Sequence, residues 1–230
     1  MDTRQRYIQT AEHLSRVCAD AGRSADDVRL IAVSKTVGVD EVEKAIEAGA
    51  LDFGENRPDE LMVKADTYPQ VNWHFIGNIQ SRRIRDIVGR ATLIHSLFEQ
   101  RHALKINEVA AAQGIVQDVL IEVNVSGEQS KGGCTPETVR DLLDVCAGLE
   151  NVRVRGLMTM APQGSMDVAR KTFEGLAELH AELKNQMPAE RARVFTELSM
   201  GMSEDWPVAV QAGATMVRVG RAIFSDVFSA

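Results

Sequence analysis

Eight times along the chain a short apolar run is followed by a segment of helical spacing, and this alternation constrains the fold more than any other feature. The runs lie at 30–33, 51–54, 72–76, 93–95, 119–125, 152–158, 195–198 and 216–220. Strands that alternate with helices pair in parallel, because each crossover returns the chain to the same end of the sheet. A further helix is predicted at the front, over residues 2–21. There Tyr7, Ala11, Leu14, Val17 and Cys18 share one face and Gly22 supplies the stop. Eight strand-helix units in 230 residues match a single (β/α)8 TIM barrel over residues 1–230, of the α/β class. An open doubly wound sheet is the alternative, but no G-x-G-x-x-G follows the first strand. The chemically distinctive residues also fall at the exits of several strands: Lys35, Asn56, His74, Met158, Ser199 and Arg218. A barrel gathers those exits on one face; an open sheet would spread them along an edge.

The predicted helices between the strands carry their own punctuation. Val39–Ala48 ends at Gly49, and Pro58 suits the first turn of the next helix. A helix carrying Ile79, Ile84, Ile87 and Val88 is predicted next, and another over 100–113. Thr135 and Pro136 are expected to open a helix ending at Cys146, and residues 168–187 read as a long amphipathic helix. Val208 and Val210 lie in a helix stopped by Gly213, and a last one is predicted from Ala222 to Phe228.

Composition narrows the function classes. Hydrophobic residues make up 44% of the chain, enough for a substantial core. The formal net charge of −7 argues against a nucleic-acid partner. No apolar run approaches the length of a membrane span, and Met1 to Arg6 lack the apolar stretch of a secretory signal. Cys18, Cys134 and Cys146 form neither a paired set nor a metal knuckle, which fits a reducing cytoplasm and no metal site.

The first chemical clue is Lys35, directly after Leu30-Ile31-Ala32-Val33-Ser34. A lysine half out of an apolar core loses its proton more readily, and a neutral amine is what Schiff-base chemistry with an aldehyde requires. Read alone, the same lysine also fits a strand-end side chain turned to water. The second clue lies in the seventh and eighth units, where Ser199-Met200-Gly201 and Arg218-Val219-Gly220-Arg221 stand at strand ends. TIM barrels commonly bind phosphate there, glycine allowing the backbone amides to come close, with a serine hydroxyl as a further donor. Both glycines also fit as turn formers. An amine and a phosphate site in one mouth point to pyridoxal phosphate (PLP) or to a class I aldolase acting on a sugar phosphate.

The longer motifs decide between these. Ala32-Val33-Ser34-Lys35-Thr36, Phe53-Gly54-Glu55-Asn56-Arg57, Trp73-His74-Phe75-Ile76-Gly77, Gln80-Ser81 and His95-Ser96-Leu97 run in order. They continue with Asn124-Val125-Ser126-Gly127-Glu128, Lys131, Gly156-Leu157-Met158, Leu198-Ser199-Met200-Gly201-Met202-Ser203 and Val217-Arg218-Val219-Gly220. With these the chain resembles the pyridoxal phosphate homeostasis protein family, itself similar to the fold-type III barrel of bacterial alanine racemase. The resemblance implies that Lys35 carries PLP as a Schiff base. It implies that Ser199, Gly201 and Gly220 hold the phosphate and that Arg218 faces the pyridine nitrogen. Asn56 and Met158 would line the ring, with His74 nearby. Departures from the family pattern are Asn78-Ile79, Arg82-Arg83, Arg221 and Ser225; Arg221 either reinforces phosphate binding or points outward.

Lys131, in a glycine-rich loop with Glu128 as a partner, is a candidate second acceptor for the cofactor, and Cys134 is expected to be exposed in that loop. His13, His95, His102 and His180 lack ligand spacing and read as structural or surface residues. A racemase of the related class takes a tyrosine from an additional C-terminal domain of its partner subunit. Here only Tyr7 and Tyr68 exist, neither at a strand exit, and the sequence ends at Ala230. The expected function is therefore PLP homeostasis, the buffering of the cofactor and its delivery to PLP-dependent apoenzymes, by a monomer with no catalytic residue. The alternative is a low-activity PLP-dependent amino-acid racemase.

Overall fold

A computed structural model describes residues 1–128 and 132–224. Eight strands close into one parallel barrel in sequence order. They are β1 (Arg29–Val33), β2 (Asp52–Glu55), β3 (Asn72–Phe75), β4 (Leu93–Leu97), β5 (Gln117–Glu122), β6 (Val152–Met158), β7 (Glu197–Ser199) and β8 (Met216–Val219). The predicted (β/α)8 class is the one observed.

Alternation along each strand sorts side chains into two cores. Ile31, Val33, Leu93, Leu120, Met158 and Met216 pack together inside the barrel. Leu30, Ala32, Val217 and Val219 point outward into the larger core beneath the helices. The register sets which polar residues share the interior: Ile31 stands opposite Arg218, Gly54 opposite His74, and Met158 opposite Ser199. The leading helix Thr3–Asp20 buries Tyr7, Leu14 and Cys18. A capping box starts it, the Asp2 side chain accepting from the Gln5 N–H at 2.9 Å.

Several boundaries differ from the sequence expectation. β5 ends at Glu122, because Asn124 N–H donates to the Cys134 carbonyl and Cys134 N–H to the Glu122 carbonyl, folding the loop back on itself. The following helix begins only at Val139, since Thr135 and Thr138 first form a turn closed by their own side chains. Residues 189–194 form a short helix that the sequence reading missed, and it delays β7 to Glu197. Ile79 precedes its helix, a 3-10 turn (Ser81–Arg83) running into Ile84–Ile87. The last helix is described over Arg221–Phe224; Ser225 and Phe228 lie outside the described residues, as does Lys131. No described helix is long and apolar enough to cross a membrane.

Candidate cofactor site

At the C-terminal mouth of the barrel a cavity of about 1520 Å³ opens over the ends of β1, β2, β3, β6, β7 and β8. Five of the residues singled out in the sequence line it: Lys35, Asn56, Met158, Arg218 and Gly220. Val33, Ile76 and Met160 add an apolar wall, a surface suited to a flat ring. Lys35 is exposed rather than half-buried, and its amine has no ion pair or hydrogen bond with another described residue. Asn56 is likewise exposed, on the turn after β2. That turn touches the next one closely: a Cβ on Gly77 would sit 2.1 Å from the Asn56 carbonyl oxygen. Only glycine permits the approach.

Arg218 is the most constrained cation in the mouth. It is 4% exposed, with Nη1 donating to Ser199 Oγ at 2.6 Å and Nη2 to the Thr159 carbonyl at 3.0 Å. Burial brings its pKa down to about 10, opposed by Asp205 and Glu122, so it stays charged at neutral pH. Burial in turn raises the carboxyls of Glu122 and Asp205, Arg218 acting against the shift in both.

The remaining three predicted residues lie behind the cavity wall. Ser199 is fully buried, and its hydroxyl is engaged by Arg218 and by His95. Gly201 is buried with φ +88°, and a Cβ there would sit 2.6 Å from the Ala209 Cβ. It turns the chain sharply after β7, so that Ser203, two residues on, reaches the cavity. Ser203 Oγ accepts from the Gly220 N–H at 3.4 Å, and the Ser203 and Arg221 N–H groups have no acceptor among the described residues. Ser203 is thus a candidate anion donor that the sequence reading passed over in favour of Ser199. His74 is 1% exposed and sits in the barrel interior, bonded to Asp52 and His95.

His95, read as a structural or surface residue, is structural: it is buried beside Ser199 in the polar interior, its Nδ1 2.9 Å from Ser199 Oγ. Burial, then His74 and Arg218, hold its pKa well below the ordinary histidine value. Cys134 is buried rather than exposed, with Sγ donating to the Phe98 carbonyl at 3.4 Å. Its thiol is pushed up to about 11, chiefly by burial. Arg221 lies exposed on the cavity rim, paired with Glu204 at 2.7 Å. No group of three or more His, Cys, Asp or Glu able to hold a metal occurs among the described residues.

The family model for the alanine racemase N-terminal domain matches residues 11–227. The pyridoxal phosphate homeostasis protein of Aquifex aeolicus is 38% identical over 230 residues, covering 98% of this chain and 99% of its own. The protein of the same name from Deinococcus radiodurans is 41% identical over 210 residues, covering 90% and 93%. PipY of Synechococcus elongatus, solved with PLP bound, superposes with a TM-score of 0.80 at 34% identity over 92% of this chain and 99% of that one. Alanine racemase of Bacillus anthracis shares the barrel alone, with a TM-score of 0.72 at 16% identity. The chain belongs to the pyridoxal phosphate homeostasis protein family, built on the alanine racemase N-terminal barrel.

Proposed function

We propose that the protein binds PLP covalently through Lys35, as a Schiff base, and serves in PLP homeostasis by holding the cofactor and releasing it to PLP-dependent apoenzymes. One observation carries the reading. A single cavity presents the Lys35 amine just beyond β1, a fixed guanidinium on β8, and the Ser203 hydroxyl after β7, with amine and neighbouring N–H groups that have no partner among the described residues. These match the three handles of PLP: aldehyde, ring nitrogen and phosphate. The Lys35 amine condenses with the aldehyde and one water leaves. Ser203 and the Gly220–Arg221 backbone hold the phosphate, and Asn56 and Met158 flank the ring. Bound PLP supplies an electron sink, and a charged guanidinium at its ring nitrogen weakens that sink by disfavouring protonation there.

The same residues favour a carrier over a racemase. Racemisation needs a proton donor or acceptor on each face of the bound amino acid. Among the described residues that line the cavity there is no tyrosine, histidine or cysteine. Asp205, the half-buried acid at the rim, accepts from the Met202 N–H at 2.6 Å.

The decisive experiment is an absorption spectrum of purified protein with PLP, for wild type and Lys35→Ala. A visible-edge band that borohydride bleaches, with the reduced adduct mapped to Lys35, is expected for wild type alone. A wild-type protein that takes up no PLP overturns the proposal. Sustained Lys35-dependent exchange of the α-proton of a single L-amino acid would replace the carrier role by catalysis.

A further inference from the structure

The barrel interior holds a continuous polar chain that the cofactor contacts do not use. It begins at the opposite mouth, where Asp52 lines a second cavity of about 620 Å³ with Tyr7, Arg29, Glu197 and Thr215. Asp52 Oδ1 lies 3.0 Å from His74 Nε2, and His74 Nδ1 lies 2.9 Å from His95 Nε2. His95 Nδ1 lies 2.9 Å from Ser199 Oγ, and Ser199 Oγ lies 2.6 Å from Arg218 Nη1. His74, His95, Ser199 and Arg218 are all at least 96% buried.

With both rings neutral, the two ends of the chain fix the direction of every bond. A guanidinium only donates, so Ser199 accepts from Arg218; His95, protonated on Nε2, can only accept at Nδ1, so the Ser199 hydroxyl proton goes to it. An ionised carboxylate only accepts, so His74 donates through Nε2 to Asp52. The middle bond then runs from His95 Nε2–H to His74 Nδ1, with both rings neutral and both carrying their proton on Nε2. The burial that depresses both histidines agrees with neutral rings. This arrangement commits the Ser199 hydroxyl proton to His95 and leaves none for a phosphate.

We propose that Asp52, His74, His95 and Ser199 form a through-barrel positioning relay that fixes Arg218 against the cofactor's ring nitrogen. His95 and Ser199 are positioning residues; neither lines the cavity. The relay rests on the PLP reading for what Arg218 faces, but its internal geometry does not. Asp52 is the end at which the relay is anchored, with Asn72 Nδ2 donating to the same oxygen at 3.2 Å. At the other end the Thr159 carbonyl supplies the second hold on Arg218.

Nitrogen-15 NMR of the cofactor-free protein at neutral pH tests the relay directly. The expected result is His74 and His95 both neutral and protonated on Nε2, with slowly exchanging Arg218 guanidinium protons that Ser199→Ala makes fast. An Nδ1–H tautomer or a charged ring at either histidine overturns the relay. So do Arg218 protons unchanged in Ser199→Ala.

With PLP added, Ser199→Ala and His95→Phe are expected to weaken binding about tenfold. They should move the absorption band in the direction that Arg218→Ala moves it, with Ser199→Thr restoring the wild-type band. Ser199→Ala should add nothing in an Arg218→Ala background. Wild-type affinity and an unshifted band in both relay variants, where Arg218→Ala shifts it, overturn the positioning role. A wild type that takes up no PLP overturns the cofactor reading and the ring-facing half of the proposal, and the Arg218 protons still decide the other half.

Discussion

Lys64 Nζ donates to the carbonyl oxygen of Ser34 at 2.9 Å, directly before Lys35 in the chain. The same ammonium lies 2.6 Å from Glu55 Oε1, which also accepts from Ser34 Oγ at 2.6 Å. Lys64 and Glu55 are both fully buried, so the ends of β1 and β2 are joined by an ion pair with no access to water. Burial raises the Glu55 carboxyl, and Lys64 opposes that shift most strongly. Lys64→Met is expected to cost about 3–5 kcal/mol, because it strands a buried carboxylate. Lys64→Met with Glu55→Gln should recover part of that loss. Urea denaturation of the two variants checks the pair; a double variant no more stable than the single one would show that stranded charge is not the cause.

Gly77→Ala tests how the β2 and β3 exits are held together. The new methyl would collide with the Asn56 carbonyl, a backbone atom that cannot turn away. A loss of about 1–3 kcal/mol is expected, as for other overpacked sites, with weaker PLP binding as the Asn56 turn moves. Thermal melts and PLP titration measure both. Gly22→Ala is the control for fold: its Cβ meets nothing within 4 Å, so only the strain of φ +69° is felt, far from the cavity.

The barrel was legible because short apolar runs alternate eight times with segments of helical spacing, several of them closed by glycine. Lys35, Asn56 and Arg218 could be placed at the mouth from strand ends alone, since a parallel barrel leaves those ends nowhere else to go. The choice between Ser199 and Ser203 was not legible. Both stand in Leu198-Ser199-Met200-Gly201-Met202-Ser203, and only the left-handed turn at Gly201 decides which hydroxyl meets the cavity. The partners of His95 were hidden for another reason. His74 and Ser199 are 21 and 104 residues away, and no local spacing encodes a contact across a barrel. The helix Ala189–Val194 buries no residue, so it left no apolar periodicity to read.

His180 makes the fold sensitive to acid. Its ring stacks on Phe195 with centroids 4.6 Å apart, and burial, with the Lys184 charge adding to it, holds its pKa down at about 4. The unfolded chain titrates near 6.5, so between those values it binds more protons than the folded one. The neutral ring's contribution is fully present above pH 6.5 and is lost as pH falls toward about 4. His180→Leu should flatten this part of the stability-pH curve, removing about 2–3 kcal/mol of pH dependence. His74 and His95 are shifted in the same direction and steepen the same limb. Urea midpoints at several pH values between 4 and 7 measure the slope, and an unaltered slope in His180→Leu would assign the limb to the barrel histidines.

The phosphate end separates the two serines experimentally. Ser203 lines the cavity and its N–H has no acceptor among the described residues, whereas the Ser199 hydroxyl is spent on Arg218 and His95. Ser203→Ala should therefore weaken PLP about tenfold, the worth of a charge-assisted hydrogen bond, while pyridoxal without its phosphate binds as it does to wild type. Ser199→Ala should weaken both ligands alike, since the pyridine end is common to them. Titration of each variant with PLP and pyridoxal reads the difference. The opposite pattern, with Ser199→Ala selective for the phosphorylated ligand, would return the phosphate to Ser199 and require the Ser199–His95 bond to break on binding.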